Sequence, residues 1–407
     1  MRWIIFVVIY VILDIYAYQA FKTITRHSWV YYIYFFLSLL ALANLLYQFM
    51  GAGNEGWSGA RSYSIGFFLV FFIPKIIMFF LLMGEDIVRL LVGGVKKLAH
   101  SENDFMIPSR RKFVSQIALG IAAIPFASLL YGMYQGRYNY KVLKYVLYFD
   151  DLPDAFDKYR ITQISDIHSG SFDNPEKIKY VIDLINEQGS DLIAFTGDLV
   201  NNKAEEMDTW KELFGSISAK DGVYSILGNH DYGDYVEWDS AEAKEANLET
   251  LKNVHSEMGW KLLLNEHSFL EKDGQRIALV GVENWGAGGF KKKGDLDKAA
   301  AGVQEEDFKV LLSHDPSYWQ EKIKNDPKHY HLTLSGHTHG MQFGIEIPGW
   351  FKWSPVQYRY VNWAGIYEEF GRYINVDRGF GFLAYPGRVG IWPEISVIEL
   401  RKGPKPV

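Results

Sequence analysis

The chain has 407 residues, no cysteine, and 42 lysines and arginines against 48 aspartates and glutamates. That length allows two or three domains, and the mild acidic excess excludes a nucleic-acid binder built on a basic surface. Without thiols there are no disulfides and no thiolate metal sites, so any metal has to be held by oxygen and nitrogen.

Aromatic residues make up 16% of the chain and crowd into its first third. Four segments there approach the roughly 20 apolar residues that a helix needs to cross a bilayer: residues 3–21, 29–50, 63–83 and 113–131. The second and fourth carry no charge, the first and third carry one each, and tryptophan and tyrosine crowd the ends as interfacial anchors do. Residues 1–132 are therefore expected to form a transmembrane anchor, followed by a linker over 133–158 and a soluble domain over 159–402. Lys22, Arg26, Arg89, Lys96, Lys97, Arg110, Arg111 and Lys112 fall on one side of the membrane, against Arg2, Arg61, Arg137, Lys141 and Lys144 on the other. The positive-inside rule puts the richer side in the cytoplasm. A multi-pass protein of the cell membrane is expected, with everything after residue 132 outside the cytoplasm.

Three further features of the anchor carry expectations. Asp14 and Lys75 lie at similar depth in two spans that run in the same direction, and buried charges in a membrane seek a partner, so the two are expected to pair. Residues 86–100, DIVRLLVGGVKKLAH, have apolar positions at helical spacing with basic residues between, the pattern of a helix lying along the cytoplasmic membrane surface. SRRKFVSQIALG, residues 109–120, resembles a twin-arginine export signal, although the positive-inside rule alone also places paired arginines beside a span.

From residue 150 the pattern changes to short apolar runs that each end in a polar cluster. RITQISDIH (160–168) ends in Asp166 and His168, and DLIAFTGDLV (191–200) carries Gly197 and Asp198. GVYSILGNHD (222–231) ends in Asn229, His230 and Asp231, FKVLLSHDP (308–316) carries His314, and HLTLSGHTHG (331–340) carries His337 and His339. Such runs read as buried strands, and residues 174–190 between the first two read as a helix with a proline near its start. This is βαβ logic, and open α/β folds place ligands at the carboxyl ends of their strands. Two imidazoles one residue apart repel each other if both are protonated; an electron-poor metal would hold them neutral. Singly, each cluster is as well explained by a turn or a cap, but five in succession point to one metal site.

The set DIH, GD, GNHD, SH and GHTH resembles the calcineurin-like metallophosphoesterase superfamily over residues 159 to about 400. The resemblance implies a four-layer α-β-β-α sandwich and two divalent metal ions, Mn, Fe or Zn. It assigns one metal to Asp166, His168, Asp198 and His339, and the other to Asp198, Asn229, His314 and His337, with Asp198 bridging. A metal-bound hydroxide would attack the phosphorus, while His230 would serve the leaving oxygen and Asp231 would fix the orientation of its imidazole. GHTHGMQ, NVDRGFG (375–381) and PEISVIEL (393–400) resemble a membrane-associated branch that includes cell-envelope phosphodiesterases and UDP-diacylglucosamine hydrolases of lipid A synthesis. The chain departs from that branch at Met341, where a second glycine is common, and in its four spans, where many relatives have one or none.

The expected function is a membrane-anchored phosphoesterase acting on a phosphodiester or pyrophosphate, a lipid or envelope substrate held near the bilayer, with no nucleic-acid partner. A cytoplasmic domain would instead suit a UDP-linked lipid precursor; phosphomonoesters or phosphoproteins, and a metal-binding sensor module, are the other readings. Arg378 is read as a phosphate contact or a salt bridge. Residues 232–251, read as an acidic helix, and 284–295, a glycine-rich stretch with three lysines, are expected to shape the substrate pocket.

Overall fold

The computed structural model describes residues 1–51, 58–98 and 108–406, with the backbone alone at 51, 96, 97, 108 and 109. The chain divides into two compact units, Met1–Gly53 with Ala60–Tyr134, and Asn54–Gly59 with Gln135–Val407.

The first unit is built of four helices, α1 (Arg2–Ile24), α2 (Ser28–Leu46), α3 (Gly59–Leu98) and α4 (Pro108–Tyr134). All four are long and apolar enough to cross a membrane. α1, α3 and α4 meet on small side chains, with Ala17, Ala20, Ala118 and Ala122 packed against Met78 and Leu82. Small residues let backbones approach closely where lipid offers no hydrophobic drive. Residues 86–98 are not a separate surface helix: α3 runs through them unbroken for 40 residues, about 60 Å at the helical rise. The lysine side chains at 96 and 97 and all of 99–107 lie outside the described residues.

Asp14 and Lys75 pair inside this unit, with Lys75 Nζ 2.7 Å from Asp14 Oδ1. Lys75 also donates to the Tyr10 hydroxyl at 2.8 Å and to Ser38 Oγ at 2.6 Å, and Ser38 Oγ donates to Asp14 at 2.8 Å. The network ties α1, α2 and α3 together and leaves neither charge alone in a medium where isolation is costly. A second cluster joins α3 to α4: Arg111 Nη1 donates to Glu85 at 2.6 Å and to Asp86 at 2.5 Å. One arginine of the SRRKF pair thus has a structural partner within the folded anchor.

In the second unit the strands are β1 (Lys141–Phe149), β2 (Arg160–Ile164), β3 (Leu192–Phe195), β4 (Val223–Ser225), β5 (Lys261–Leu262), β6 (Glu266–Lys272), β7 (Gln275–Gly281), β8 (Phe308–Leu312), β9 (Leu332–Ser335), β10 (Ile345–Ile347), β11 (Phe351–Trp353), β12 (Gly365–Glu369), β13 (Arg372–Val376) and β14 (Glu394–Lys402). One six-stranded sheet has the order β1-β14-β2-β3-β4-β5 and the other β12-β13-β9-β8-β7-β6, while β10 and β11 form a hairpin of their own. β2, β3 and β4 run parallel, as do β7, β8 and β9. β3, β4, β8 and β9 are buried throughout, as parallel strands covered on both faces are.

Ile161, Leu192, Tyr224, Leu279, Val310 and Leu332 fill the space between the sheets. The helix α5 (Pro175–Asn186) covers the outer face of the first sheet through Ile178, Val181, Ile182 and Ile185. Its start is fixed by Asn174, whose side chain accepts from the Lys177 amide, with Pro175 in the first turn. Outside the second sheet, Val280, Leu311 and Ile374 pack against Leu296, Ala299 and Trp319, so this layer of the α-β-β-α sandwich consists of short helical turns. Within residues 232–251 the α-helix begins only at Ala241. Trp238 Nε1 donates to the Gly233 carbonyl at 2.7 Å, closing a loop, and Ser240 caps the helix that follows.

The ion pair in the anchor can be tested by a double-mutant cycle. Asp14→Asn alone leaves Lys75 unpaired and should destabilise the full chain in detergent by about 3–5 kcal/mol. In a Lys75→Met background the same change should cost much less, and thermal unfolding that shows equal losses in both backgrounds would contradict the pairing.

Candidate metal centre

Every cluster singled out in the sequence sits at the carboxyl end of a buried strand, where the chain leaves the sheet abruptly. Asp166, His168, Asp198, His337 and His339 all have positive φ, between 50° and 72°. Non-glycine residues reach this region at a steric cost, and such residues concentrate at functional sites where surrounding structure enforces them. The turns also need glycine at close approaches. A Cβ on Gly228 would strike the carboxylate and amide of Asp198, and one on Gly336 would strike Ser165 and Asp166.

The side chains converge in two groups, Asp166 with His168 and His339, and Asp198 with His314 and His337, each with ligand-type atoms within 4.8 Å of one another. Asp198 reaches toward both: its Oδ2 lies 3.2 Å from His314 Nε2 and 3.6 Å from His168 Nε2. Asn229 Oδ1 completes the second group, 2.8 Å from His337 Nδ1 and 3.2 Å from His314 Nε2. In the first group the Nε2 atoms of His168 and His339 face each other at 3.0 Å, and His339 Nε2 is 3.3 Å from Asp166 Oδ1.

The donor set fits divalent cations. His314 donates its Nδ1 proton to the Thr196 carbonyl at 2.7 Å, which turns Nε2 toward Asp198 and Asn229, the arrangement that orients metal-bound imidazoles. Burial works against its charge, but Asp198 raises the ring to about 10, so a bound ion would take the place of the Nε2 proton. Burial lowers His168 to about 3 and also lowers His337 and His339, so these rings stay neutral. Burial pushes Asp166 up to about 6. Burial also works against ionised Asp198, but the neighbouring His314 and His230 hold it well below the usual carboxylate range.

Asp231 does not orient His230. Its carboxylate accepts from the backbone amides of Gly228 at 2.8 Å, Asp198 at 2.9 Å, Leu199 at 2.8 Å and Val200 at 3.3 Å, pinning the β3 turn to the β4 turn. The His230 ring is set by another group: Nδ1 donates to the Asn201 carbonyl at 2.8 Å, and the ring stacks on Tyr235 at 4.3 Å. Asn201 is held in turn by Glu206, which accepts from the amides of Asn201 at 2.5 Å, Asn202 at 2.9 Å and Lys203 at 3.0 Å.

Arg378 is a structural ion pair. It is buried, bonded to Glu394, and grips Glu346 with Nε at 3.0 Å and Nη2 at 2.6 Å. The lysines of 284–295 lie over aromatic rings, Lys291 and Lys293 over Tyr232 and Lys292 over Trp285. From that segment it is Phe290 that reaches the site, edge-on to His337 at 4.9 Å. Sequence reading also missed Tyr360, whose hydroxyl is 2.8 Å from His337 Nε2, and buried Arg388, whose Nη2 donates to the Gly379 and Gly381 carbonyls and lies 3.4 Å from His339 Nδ1.

A two-sheet α/β unit with imidazoles, carboxylates and an amide gathered at its strand ends, following four membrane-length helices in the chain, defines a class of membrane-anchored metal-dependent hydrolase. A family model described as "Calcineurin-like phosphoesterase" matches residues 159–341, and one described as "Probable Calcineurin-like phosphoesterase, transmembrane domain" matches residues 1–137. The chain is 30% identical over 257 residues to the uncharacterized metallophosphoesterase YkuE of Bacillus subtilis, covering 61% of this chain and 82% of that one. It is 24% identical over 395 residues to the transmembrane protein with metallophosphoesterase domain of Danio rerio, covering 94% and 83%. It is 26% identical over 289 residues to the uncharacterized metallophosphoesterase YkoQ of Bacillus subtilis, covering 70% and 99%. The chain belongs to the calcineurin-like phosphoesterase family, which uses divalent metals.

Because Asp231 holds the turn that presents Asp198, Asp231→Ala should weaken Mn binding by about 10–100-fold although it removes no proposed ligand. Titration of the full-length variant with Mn checks this, and unchanged affinity in a folded protein would contradict the assigned role.

Proposed function

We propose that this is a dinuclear phosphodiesterase that works outside the cytoplasm on a phosphodiester or pyrophosphate bond of a lipid or other envelope component. The observation that carries the reading is Asp198 Oδ2, placed within 3.6 Å of an imidazole from each donor group. Asp166, His168 and His339 would hold one ion and Asn229, His314 and His337 the other, with Asp198 shared. Bound ions would supply an activated water and a positive clamp for the phosphoryl oxygens.

The protein's own groups divide the remaining work. Asp231 and Gly228 keep Asp198 in its turn, and the Thr196 carbonyl keeps His314 Nε2 turned inward. Since the Asn201 carbonyl can only accept, the His230 Nδ1 keeps its proton, and Nε2 is the atom that exchanges a proton with the leaving oxygen. Phe290 and Tyr360 pack against the His337 ring, and Tyr235 stacks on His230. Arg378 is committed to carboxylates and Arg388 to main-chain carbonyls, while Arg359 lies over the rings of Phe290 and Tyr360 at the edge of the site. The excess of lysine and arginine in the two loops assigned to the cytoplasm supports an external catalytic unit.

Full-length protein supplied with Mn should hydrolyse bis-p-nitrophenyl phosphate, faster than the monoester p-nitrophenyl phosphate, and lose the activity to a chelator and in Asp198→Asn. His230→Gln should retain its metal while turnover falls about 10²–10⁴-fold. Faster monoester cleavage would reassign the substrate class. For topology, a periplasmic-type phosphatase reporter fused after residue 406 should be active; an inactive one, with a fluorescent cytoplasmic reporter bright at the same position, would place the unit inside.

A further inference from the structure

The hairpin β10–β11 is separated from His339 only by residues 340–344, and its polarity is inverted. An ordinary surface hairpin turns apolar side chains inward and polar ones to water. Here Glu346 and Lys352, opposite each other in register, face the protein. Glu346 is gripped by Arg378, and Lys352 Nζ donates to the Ala364 carbonyl at 2.5 Å and the Tyr367 hydroxyl at 3.1 Å. The outward face carries Ile345, Ile347 and Phe351, 55%, 45% and 47% exposed, and the turn adds Trp350 at 81%. Tyr358, 79% exposed, extends the patch beside Trp353, whose Nε1 donates to the Tyr358 hydroxyl at 3.4 Å. Ser354 Oγ donates to the Gly340 carbonyl at 2.8 Å, fastening the end of the hairpin to the residue after His339.

A hairpin pinned through its charges that presents indole, phenyl and branched aliphatic groups outward has the composition of a membrane-interface element. Water is a poor partner for such a patch, and contiguous exposed apolar surface marks an interaction site. The anchor and the first strand are joined by a short connection. α4 ends at Tyr134 and β1 begins at Lys141, so the tether between a membrane helix and the first strand is residues 135–140, about 20 Å at full extension.

We propose that β10–β11 is a wedge that seats the catalytic unit on the phospholipid bilayer and presents the donor groups to a phosphodiester at headgroup level. The substrate part of this proposal rests on the phosphodiesterase reading; the docking does not, and is measured apart from turnover.

Because the chain has no cysteine, Trp350→Cys in the full-length protein offers one labelling site. With an environment-sensitive fluorophore there and the protein in phospholipid nanodiscs, emission should shift to the blue and be quenched by spin-labelled phospholipid. The same label at exposed Lys220→Cys should read as water. A label at 350 that reads as water, or one shifted to the blue without lipid quenching as under a second copy of the chain, overturns the wedge. A second variant, Trp350→Glu with Phe351→Glu, should keep bis-p-nitrophenyl phosphate hydrolysis while turnover of a diacylglycerol p-nitrophenyl phosphodiester in the nanodisc falls at least about tenfold. Equal turnover of both substrates by variant and wild type overturns the functional part. Lipid quenching in a wild-type protein that cleaves neither substrate sustains docking and overturns the phosphodiesterase reading alone.

Discussion

The site depends on one buried carboxylate that binds no proposed metal. Asp231 accepts the amides of Gly228, Asp198, Leu199 and Val200, and so ties together two turns that leave neighbouring parallel strands. Those turns carry Asp198 and Asn229, and between them Gly228 approaches Asp198 too closely for any side chain. Left-handed backbone at Asp198 is strained, and the amide bonds to Asp231 are what hold it there. Burial raises Asp231 to about 7, while the amide donors at Gly228 and Val200 favour its ionised form.

The two units solve the same electrostatic problem differently. In the anchor, Asp14 and Lys75 neutralise each other and bind Tyr10 and Ser38, a closed arrangement with no charge left over. In the catalytic unit, Asp166 and Asp198 are buried with no lysine or arginine pair among the described residues; burial keeps His168, His337 and His339 neutral, and only His314, where burial is outweighed by Asp198 and the ring is raised to about 10, offers a positive ring 3.2 Å from Asp198. Two buried carboxylates facing four imidazoles of which only one is held positive are tolerated where a cation is to be bound, and the donor chemistry here matches borderline divalent metals. The anchor therefore reads as a structural element, and the strand ends as the chemical one.

Much of this was legible in the sequence because the signals were local. Apolar runs of span length, single charges within them, and short buried strands ending in Asp, Asn or His each lie within a few consecutive residues. The unread features join distant residues. Arg388 stands 49 positions from His339 and Tyr360 is 23 from His337, and no spacing rule links them. Asp231 was read through its neighbour His230, but the turn points its carboxylate at main-chain amides, leaving the imidazole to Asn201. The continuity of α3 from the third span into residues 86–98 was not legible because Gly84, Glu85 and Asp86 end the apolar run, although none of them ends the helix. Arg378 had two readings, and Glu346 and Glu394, remote in sequence, decide for the ion pair.

The most direct test of the two-ion account is electron paramagnetic resonance of the full-length protein loaded with Mn. Two ions sharing Asp198 should be spin-coupled and give an exchange-broadened multiline spectrum that collapses to an uncoupled pattern in Asp198→Asn. A wild-type protein that shows only the six-line signal of isolated Mn at saturating metal would contradict a shared dinuclear centre.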